Sequence, residues 1–258
     1  MVEAAVLASG SRGNCTFLKF GEISVLVDCG LSCKGIVERL ESIDVSPHTI
    51  QAVLLTHEHE DHVRSIHTFC KRYDVPLIAN EATYRAANLE ARKIREYVPI
   101  RTGRSFDVLP GLDIFPCSIP HDAADPVAFV FHYMGHRYSV VTDLGYPTDL
   151  VVDQIRGSRM LVVESNHDPQ MLKLSSYPWE LKQRIMSRRG HLSNGDAAAL
   201  VERVLTDTTG QVVLAHLSEE NNHPDIALMT TLQRLNGHPV PVAVASQRQS
   251  TELFVIPD

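Results

Sequence analysis

The chain lacks any apolar run near the ~18 residues that a membrane-crossing helix needs. It also shows no secretion signal: an acid stands at position 3 of MVEAAVLASGSRGN and the apolar stretch there is short. A cytoplasmic location is the expectation. Cysteine is too sparse for a disulfide framework. Cys15, Cys29, Cys33, Cys70 and Cys117 are an odd, scattered set, and the Cys29–Cys33 spacing has no second pair to complete a zinc knuckle. Free thiols are expected. Aromatic residues make up only 6% and tryptophan occurs once, at Trp179, so platforms for base stacking are few. Positive charge is not in surplus either. A net charge of -7 excludes a generally adhesive nucleic-acid coat and leaves room for one local groove.

What is present is a chain of 258 residues, long enough to bury a large core, with 44% hydrophobic content. EAAVLAS, CTFLKF and ISVLVD read as strands separated by glycine-bearing turns, with QAVLLT and PLIAN as two more. LDIFPCSIP, VAFVFHYM, HRYSVVTDL, RMLVVES and QVVLAHLS form a later set. LSCKGIVERLESID carries Leu31, Ile36, Val37, Leu40 and Ile43 as a helical stripe, and VRSIHTFCKRYD reads as a helix. NGDAAALVERVLTD is opened by Ser193 and Asp196 as an S-x-x-D capping box. VPVAVASQ and ELFVIPD read as closing strands. No repeat or linker interrupts this order, so residues 1–258 are expected to form a single α/β domain with helices outside.

One stretch breaks the apolar rhythm. LLTHEHEDH places His57, Glu58, His59, Glu60, Asp61 and His62 directly after a strand, where so many ionisable groups would repel one another. Bound cations remove that repulsion. In an extended backbone residues i and i+2 point the same way, so His57 and His59 can face one ion while Asp61 and His62 turn toward a second. Zinc or manganese accepts imidazole and carboxylate together. The zincin pattern H-E-x-x-H does not fit, because Asp61 stands four after His57. Glu58 and Glu60 are expected to point outward or to support the ligands. Further candidates lie where strands end: His121 after CSIP, Asp143 after YSVVT and His216 after VVLA.

These motifs, with Asp28 in VLVDCG, resemble in order and across nearly the whole chain those of metallo-β-lactamase-fold hydrolases. The resemblance implies a four-layered αββα sandwich with the site at one edge. It implies that His57, His59 and His121 hold one divalent ion, that Asp61, His62 and His216 hold another, and that Asp143 bridges them. Asp28 would be a buried carboxylate behind the histidines.

Fold alone does not choose among the chemistries of such a superfamily. Glu164 in VVESNHD and His191 in RRGHLSN look like the Glu–His pair that serves the leaving oxygen in tRNA 3′-processing endonucleases of this fold. A phosphodiester needs such an acid, because an alkoxide leaves poorly at neutral pH. Asp61, Glu164 and His191 are therefore the candidate catalytic residues. LASGSRGNCTFL, ESNHDPQML, GHLSNGDAAAL and LAHLSEENNHP are together similar to the YycJ/WalJ-like branch. That resemblance implies a metal-dependent 5′-to-3′ exonuclease acting on DNA, with links to DNA repair; the expected chemistry is attack on phosphorus by water activated between two cations.

Asn14 and His167 are candidates for the mouth of the site. Two basic stretches are candidates for a groove: Arg85, Arg92, Lys93, Arg95, Arg101 and Arg104, then Lys182, Arg184, Arg188 and Arg189. Tyr84, Tyr97, Tyr177 and Trp179 are the nearby aromatics. The main rival is a small-molecule or cyclic phosphodiesterase of the same fold. It is disfavoured because its relative in phosphonate metabolism carries a cysteine-rich zinc loop near its start, and only Cys15 lies within the first 28 residues here. Thioester or lactam hydrolysis would not require the Glu164–His191 pair. A metal-binding scaffold with a vestigial site would lack a ligand, and none is missing. Zinc and manganese, DNA and RNA, and the oligomeric state stay open at this point.

Overall fold

β-Branched and aromatic runs form strands where their alternation and flanking turns place them. The structure, a computed structural model, describes residues 1–92 and 94–257. The first half contains β1 (Val2–Ala8), β2 (Cys15–Phe20), β3 (Ile23–Val27), α1 (Cys33–Glu41), β4 (Ile50–Leu54), α2 (Glu60–Val63), α3 (Ile66–Tyr73), β5 (Leu77–Asn80), α4 (Glu81–Ala86) and β6 (Tyr97–Ile100). The second half contains β7 (Phe106–Leu109), β8 (Leu112–Ser118), β9 (Val127–Tyr133), β10 (His136–Val141), α5 (Asp149–Ile155) and β11 (Met160–Glu164). It continues with α6 (Pro169–Leu174), α7 (Trp179–Ile185), α8 (Asn194–Val204), β12 (Gln211–Ala215), α9 (Pro224–Leu235), β13 (Val242–Val244) and β14 (Phe254–Ile256).

Two seven-stranded sheets result, in the orders β14-β1-β2-β3-β4-β5-β6 and β13-β12-β11-β10-β9-β8-β7. Each is mixed. The β1–β2–β3 and β7–β8–β9–β10 portions are antiparallel, and β3–β6 and β10–β13 are parallel. The two closing runs therefore end different sheets: β13 extends the second, and β14 pairs with β1 of the first.

One core lies between the sheets and includes Phe20, Phe129, Phe131 and Tyr138. Phe20 stacks on Phe131 with ring centroids 5.2 Å apart, and burying each such side chain stabilises the fold by about 1.5–3 kcal/mol. A second core seals Ile36 and Leu40 of α1 and Phe69 of α3 against the outer face of the first sheet. A third does the same for Val151 of α5, Leu200 and Val201 of α8 and Ala227 of α9 on the second sheet. The layers are α, β, β, α, as expected. Among the described residues no helix is long and apolar enough to cross a membrane.

Helix ends follow their caps. Ser32 accepts from Gly35 N at 3.1 Å to start α1. Ser193 accepts from Asp196 N at 3.2 Å and donates to the Asp196 carboxylate at 2.6 Å to start α8. The helix expected over 63–74 is divided. Ser65 N donates to Cys29 O instead of to a helical carbonyl, which separates α2 from α3 and ties both to the end of β3.

All five thiols are free and buried. Burial pushes Cys70 and Cys117 up to about 12 and raises Cys29 well above the usual thiol range; Cys33 is raised too, against the pull of Arg72. At pH 8 a thiol with such a pKa is roughly one part in ten thousand thiolate. Native protein is therefore expected to react with Ellman's reagent only slowly, while denatured protein releases all five equivalents at once. A rapid burst from Cys70 or Cys117 in native protein would contradict this placement.

Candidate metal centre and cleft

β3, β4, β8, β10, β11 and β12 all end at one edge of the sandwich, and the chemistry-bearing residues follow directly. After β4 the chain stays extended, with His59 at φ -62°, ψ 147° before α2 begins. His57 and His59 thus face the same way, with His57 Nε2 3.0 Å from His59 Nδ1. His121, on the loop after β8, brings its Nε2 to 3.3 Å from His59 Nδ1. The ring nitrogens of these three lie within 4.8 Å of one another.

α2 then turns Asp61 and His62 toward a second point, where His216 arrives from β12. Asp61 Oδ2 is 3.5 Å from His62 Nε2 and 3.6 Å from His216 Nε2. Asp143 reaches both sets, 3.2 Å from His62 Nε2, 3.5 Å from His216 Nδ1 and 3.7 Å from His121 Nε2.

Asp28, Asp143 and His216 all adopt left-handed backbone, at φ 64°, 58° and 55°. Such conformations cost of order 1 kcal/mol or more for residues with a Cβ. Each falls within two residues of a strand end, where the bend carries a side chain over the strand ends. Asp28 accepts from Thr56 N at 2.9 Å, from Thr56 Oγ1, and from His62 Nδ1 at 2.7 Å. With its single proton on Asp28, Thr56 Oγ1 accepts from His57 Nδ1 at 3.0 Å. This network assigns the Nδ1–H forms of His57 and His62 and leaves both Nε2 atoms facing the cluster.

The residues fit divalent cations. Asp143 Oδ2 and His216 Nε2 are buried without a hydrogen-bond partner; the 3.2 Å approach of His62 Nε2 to Asp143 lacks hydrogen-bond alignment. Orphaned buried atoms of this kind are costly unless an ion satisfies them. In the metal-free protein, burial opposes charge on His62, but the carboxylates of Asp28, Asp143 and Asp61 outweigh it and raise the pKa well above the usual imidazole range. Burial likewise opposes charge on His216, and Asp143, Asp61 and Glu164 raise it well above that range. Burial, with the neighbouring His62 cation, holds His57 well below it. Burial would raise Asp61 and Asp143, yet the adjacent histidines lower both.

An ion held by Asp61, His62 and His216 would take the place of the protons that the surrounding carboxylates favour on the two imidazoles. Metal uptake at pH 7 is therefore expected to release up to about two protons, and apparent affinity to fall as pH falls. Calorimetric titration in buffers of different ionisation enthalpy measures this; uptake without proton release would contradict it.

Glu164, fully buried, stands at the end of β11. Its Oε1 is 2.6 Å from His191 Nδ1 and 3.4 Å from His216 Nδ1, and its Oε2 accepts from Leu144 N. Burial works against its charge, and His191 and His216 lower its pKa nonetheless. His191 N donates to Ile185 O, at a turn that only Gly190 permits, since a Cβ there would meet Ile185 O at 2.1 Å. His191, His121, Asp61 and Asp143 line a cleft of about 250 Å³, with Tyr177 and Arg184 on its wall.

Several expectations require correction. Asn14 and His167 are buried, at 4% and 3% exposure, and neither lines the cleft; Ser11, Asn166 and Ser218 do. Asn14 is turned inward onto Asp61, and His167 packs under α8, where its carbonyl accepts from Asn194 N. Arg188 stacks on Tyr146 at 4.2 Å and lines a neighbouring cavity, whereas Arg189 lines the cleft and donates to His121 O. Lys182 is buried, its Nζ donating to Lys173 O and Ser175 O.

In the first basic stretch, Arg85 pairs with Glu81 and Glu90, and Arg95 with Asp74, away from the cleft. Arg101 and Arg104 are exposed and do not line it either. Lys93 and the Arg92 side chain lie outside the described residues. Tyr84 and Tyr97 stack on each other at 3.8 Å beside the outer core; Trp179 is exposed but does not line the cleft. Glu58 holds the 119–126 loop through Ala124 N, and Glu60 pairs with Arg64 at the surface.

A family profile described as a beta-lactamase superfamily domain matches residues 24–217. Exodeoxyribonuclease YycJ of Bacillus anthracis is 36% identical over 232 residues, covering 90% of this chain and 88% of the relative. Exodeoxyribonuclease WalJ of Streptococcus pneumoniae serotype 2 is 36% identical over 236 residues, covering 90% and 87%. Among solved structures, the metallo-beta-lactamase fold protein YhfI of Bacillus subtilis superposes with a TM-score of 0.74 at 16% identity over 97% of this chain and 98% of that one, a likeness of fold.

Proposed function

The chain belongs to the beta-lactamase superfamily and, within it, to the YycJ/WalJ exonuclease family, and from that membership we propose that it shortens DNA from the 5′ end at a two-cation centre. It is a metal-dependent hydrolase of the nuclease kind, and nucleic acid is its substrate class. The proposed strand is DNA, the proposed number of ions two, and the proposed setting DNA repair in the cytoplasm.

The reading rests on one observation: two donor triads share the reach of Asp143 beside a His191–Glu164 pair at the base of a single cleft. His57, His59 and His121 would hold one ion, Asp61, His62 and His216 the other, with Asp143 between them. Five imidazoles suit zinc, and the two aspartates admit manganese. When bound, the ions supply a hydroxide nucleophile at neutral pH and neutralise charge developing on the phosphate. Asp28 and Thr56 hold His62 and His57 in the tautomers that face the ions. His191 delivers a proton to the departing oxygen, and Glu164, 2.6 Å from its Nδ1, orients the ring and steadies its cationic form. Arg184, paired with Asp122 at 3.1 Å, and Arg189, whose Nε and Nη2 donate to His121 O, stand on the cleft wall with their remaining guanidinium nitrogens available to flanking phosphates.

The deciding experiment restores manganese or zinc to metal-depleted protein and follows end-labelled single- and double-stranded DNA, beside Asp61→Ala. Shortening from the 5′ end is expected only with metal and is expected to vanish in the variant. The modest cleft of about 250 Å³ favours one rival, a small or cyclic phosphodiester. Intact DNA together with hydrolysed bis-p-nitrophenyl phosphate would transfer the assignment to that rival.

A further inference from the structure

The β1–β2 loop, residues 9–14, touches the candidate centre from beneath. Asn14 Oδ1 accepts from Gly10 N at 2.9 Å and from Ser9 Oγ at 3.3 Å. The oxygen is thereby committed to the loop, which sets the amide orientation. Nδ2 then faces Asp61 Oδ2 at 3.0 Å and His62 Nε2 at 3.0 Å, with further approaches to Gly10 O and Asp61 O. The backbone reinforces this grip: Asn14 N donates to Asp61 O at 2.8 Å, and Gly30 N donates to Asn14 O at 2.9 Å. A Cβ at Gly30 would meet Asp61 O at 1.6 Å, so no side chain could separate the loop from α2.

Asp61 needs such a hold. It sits on a four-residue helix, too short to fix its own side chains. The Asn14 amide is the shortest polar contact of its carboxylate, against 3.5 Å to His62 and 3.6 Å to His216. The other candidate ligand set is supported elsewhere, His57 by Thr56, His59 by Asp122 O and His121 by Gly190 O. Asn14 contacts none of those three.

We propose that Asn14 is a positioning residue for one ion only: its amide N–H holds the Asp61 carboxylate, and with it the second cation, while the His57–His59–His121 set is independent of it. This rests on the two-cation reading above. Removing a partner that orients a metal ligand weakens affinity by roughly 10- to 100-fold, so the two sites should separate in a binding measurement.

The test uses the full chain, metal-depleted, with zinc alone as the probe. Calorimetric titration gives site affinities, and elemental analysis after dialysis gives the count. Wild type is expected to hold two ions. Asn14→Ala should bind the first as tightly as wild type and the second about 10- to 100-fold more weakly, so its count falls toward one at zinc levels that saturate wild type. If that variant does not fold, Asn14→Ser, too short to reach Asp61, carries the same expectation. Gln247→Ala is the control. Gln247 pins the same loop, accepting from Arg12 N at 2.8 Å and donating to Gly13 O at 2.9 Å, without touching a candidate ligand, and this variant should keep both ions.

An unchanged second affinity in Asn14→Ala overturns the inference. So does equal weakening of both ions, or an equal loss in Gln247→Ala, because either would mean loop disorder acting in place of the amide. Wild type that holds a single ion would instead overturn the two-cation reading, and the inference with it.

Discussion

Alanine at Asp143 is expected to lower the rate of DNA hydrolysis by about a thousandfold or more, which corresponds to about 4 kcal/mol of lost transition-state stabilisation. Among the described residues its carboxylate is the single group within ion-pair distance of His62, His121 and His216 at once. Without it the two triads would be separate mononuclear sites, and neither would press two charges onto one phosphate. The buried anion also offsets the histidines around it, whose pairing lowers its pKa although burial works the other way. Rates on end-labelled DNA, with metal content measured in parallel, decide the matter. A variant within tenfold of wild type while holding two ions would remove Asp143 from the proposed mechanism.

The second large effect is selective. His191→Gln should slow DNA cleavage by roughly 10²–10⁴-fold, the usual worth of a positioned general acid, and leave metal content near that of wild type. Bis-p-nitrophenyl phosphate should be hydrolysed at a rate within about tenfold of wild type, because nitrophenolate departs without a proton. This split separates proton delivery from ion binding. The structure makes the distinction necessary, since His191 Nδ1 lies 2.6 Å from Glu164 but also 3.9 Å from Asp143. Equal losses on the two substrates would show that His191 acts through the cations and not on the leaving group.

Much of this site was legible because its residues are local in sequence. His57, His59, Asp61 and His62 fall within six positions after a strand, and period-two alternation is enough to aim the first two at one point. His121, Asp143, Glu164 and His216 could be found because each terminates an apolar run. The left-handed bends at Asp28, Asp143 and His216 left no trace in the residue types, since aspartate and histidine follow strands in many ordinary loops. Asn14 was misplaced for a different reason. Its partner lies 47 positions away, and an asparagine in a glycine-rich loop looks the same whether its amide meets solvent or a carboxylate. Lys182 and the Tyr84–Tyr97 stack failed likewise: charge and aromaticity announce a surface role until tertiary packing covers them.

Each candidate triad takes two members from the first sheet's connections and the third, His121 or His216, from the second's. During synthesis the H-x-H-x-D-H segment therefore emerges long before its partners exist. The second triad stays open until β12 has formed and joined the parallel strands beside it. A nascent or truncated polypeptide that ends before residue 216 cannot assemble the proposed centre, however well its first half has folded. The proposed cutting capacity would then appear only after residue 216 has been delivered, an order set by the ribosome and not by the fold of the first half.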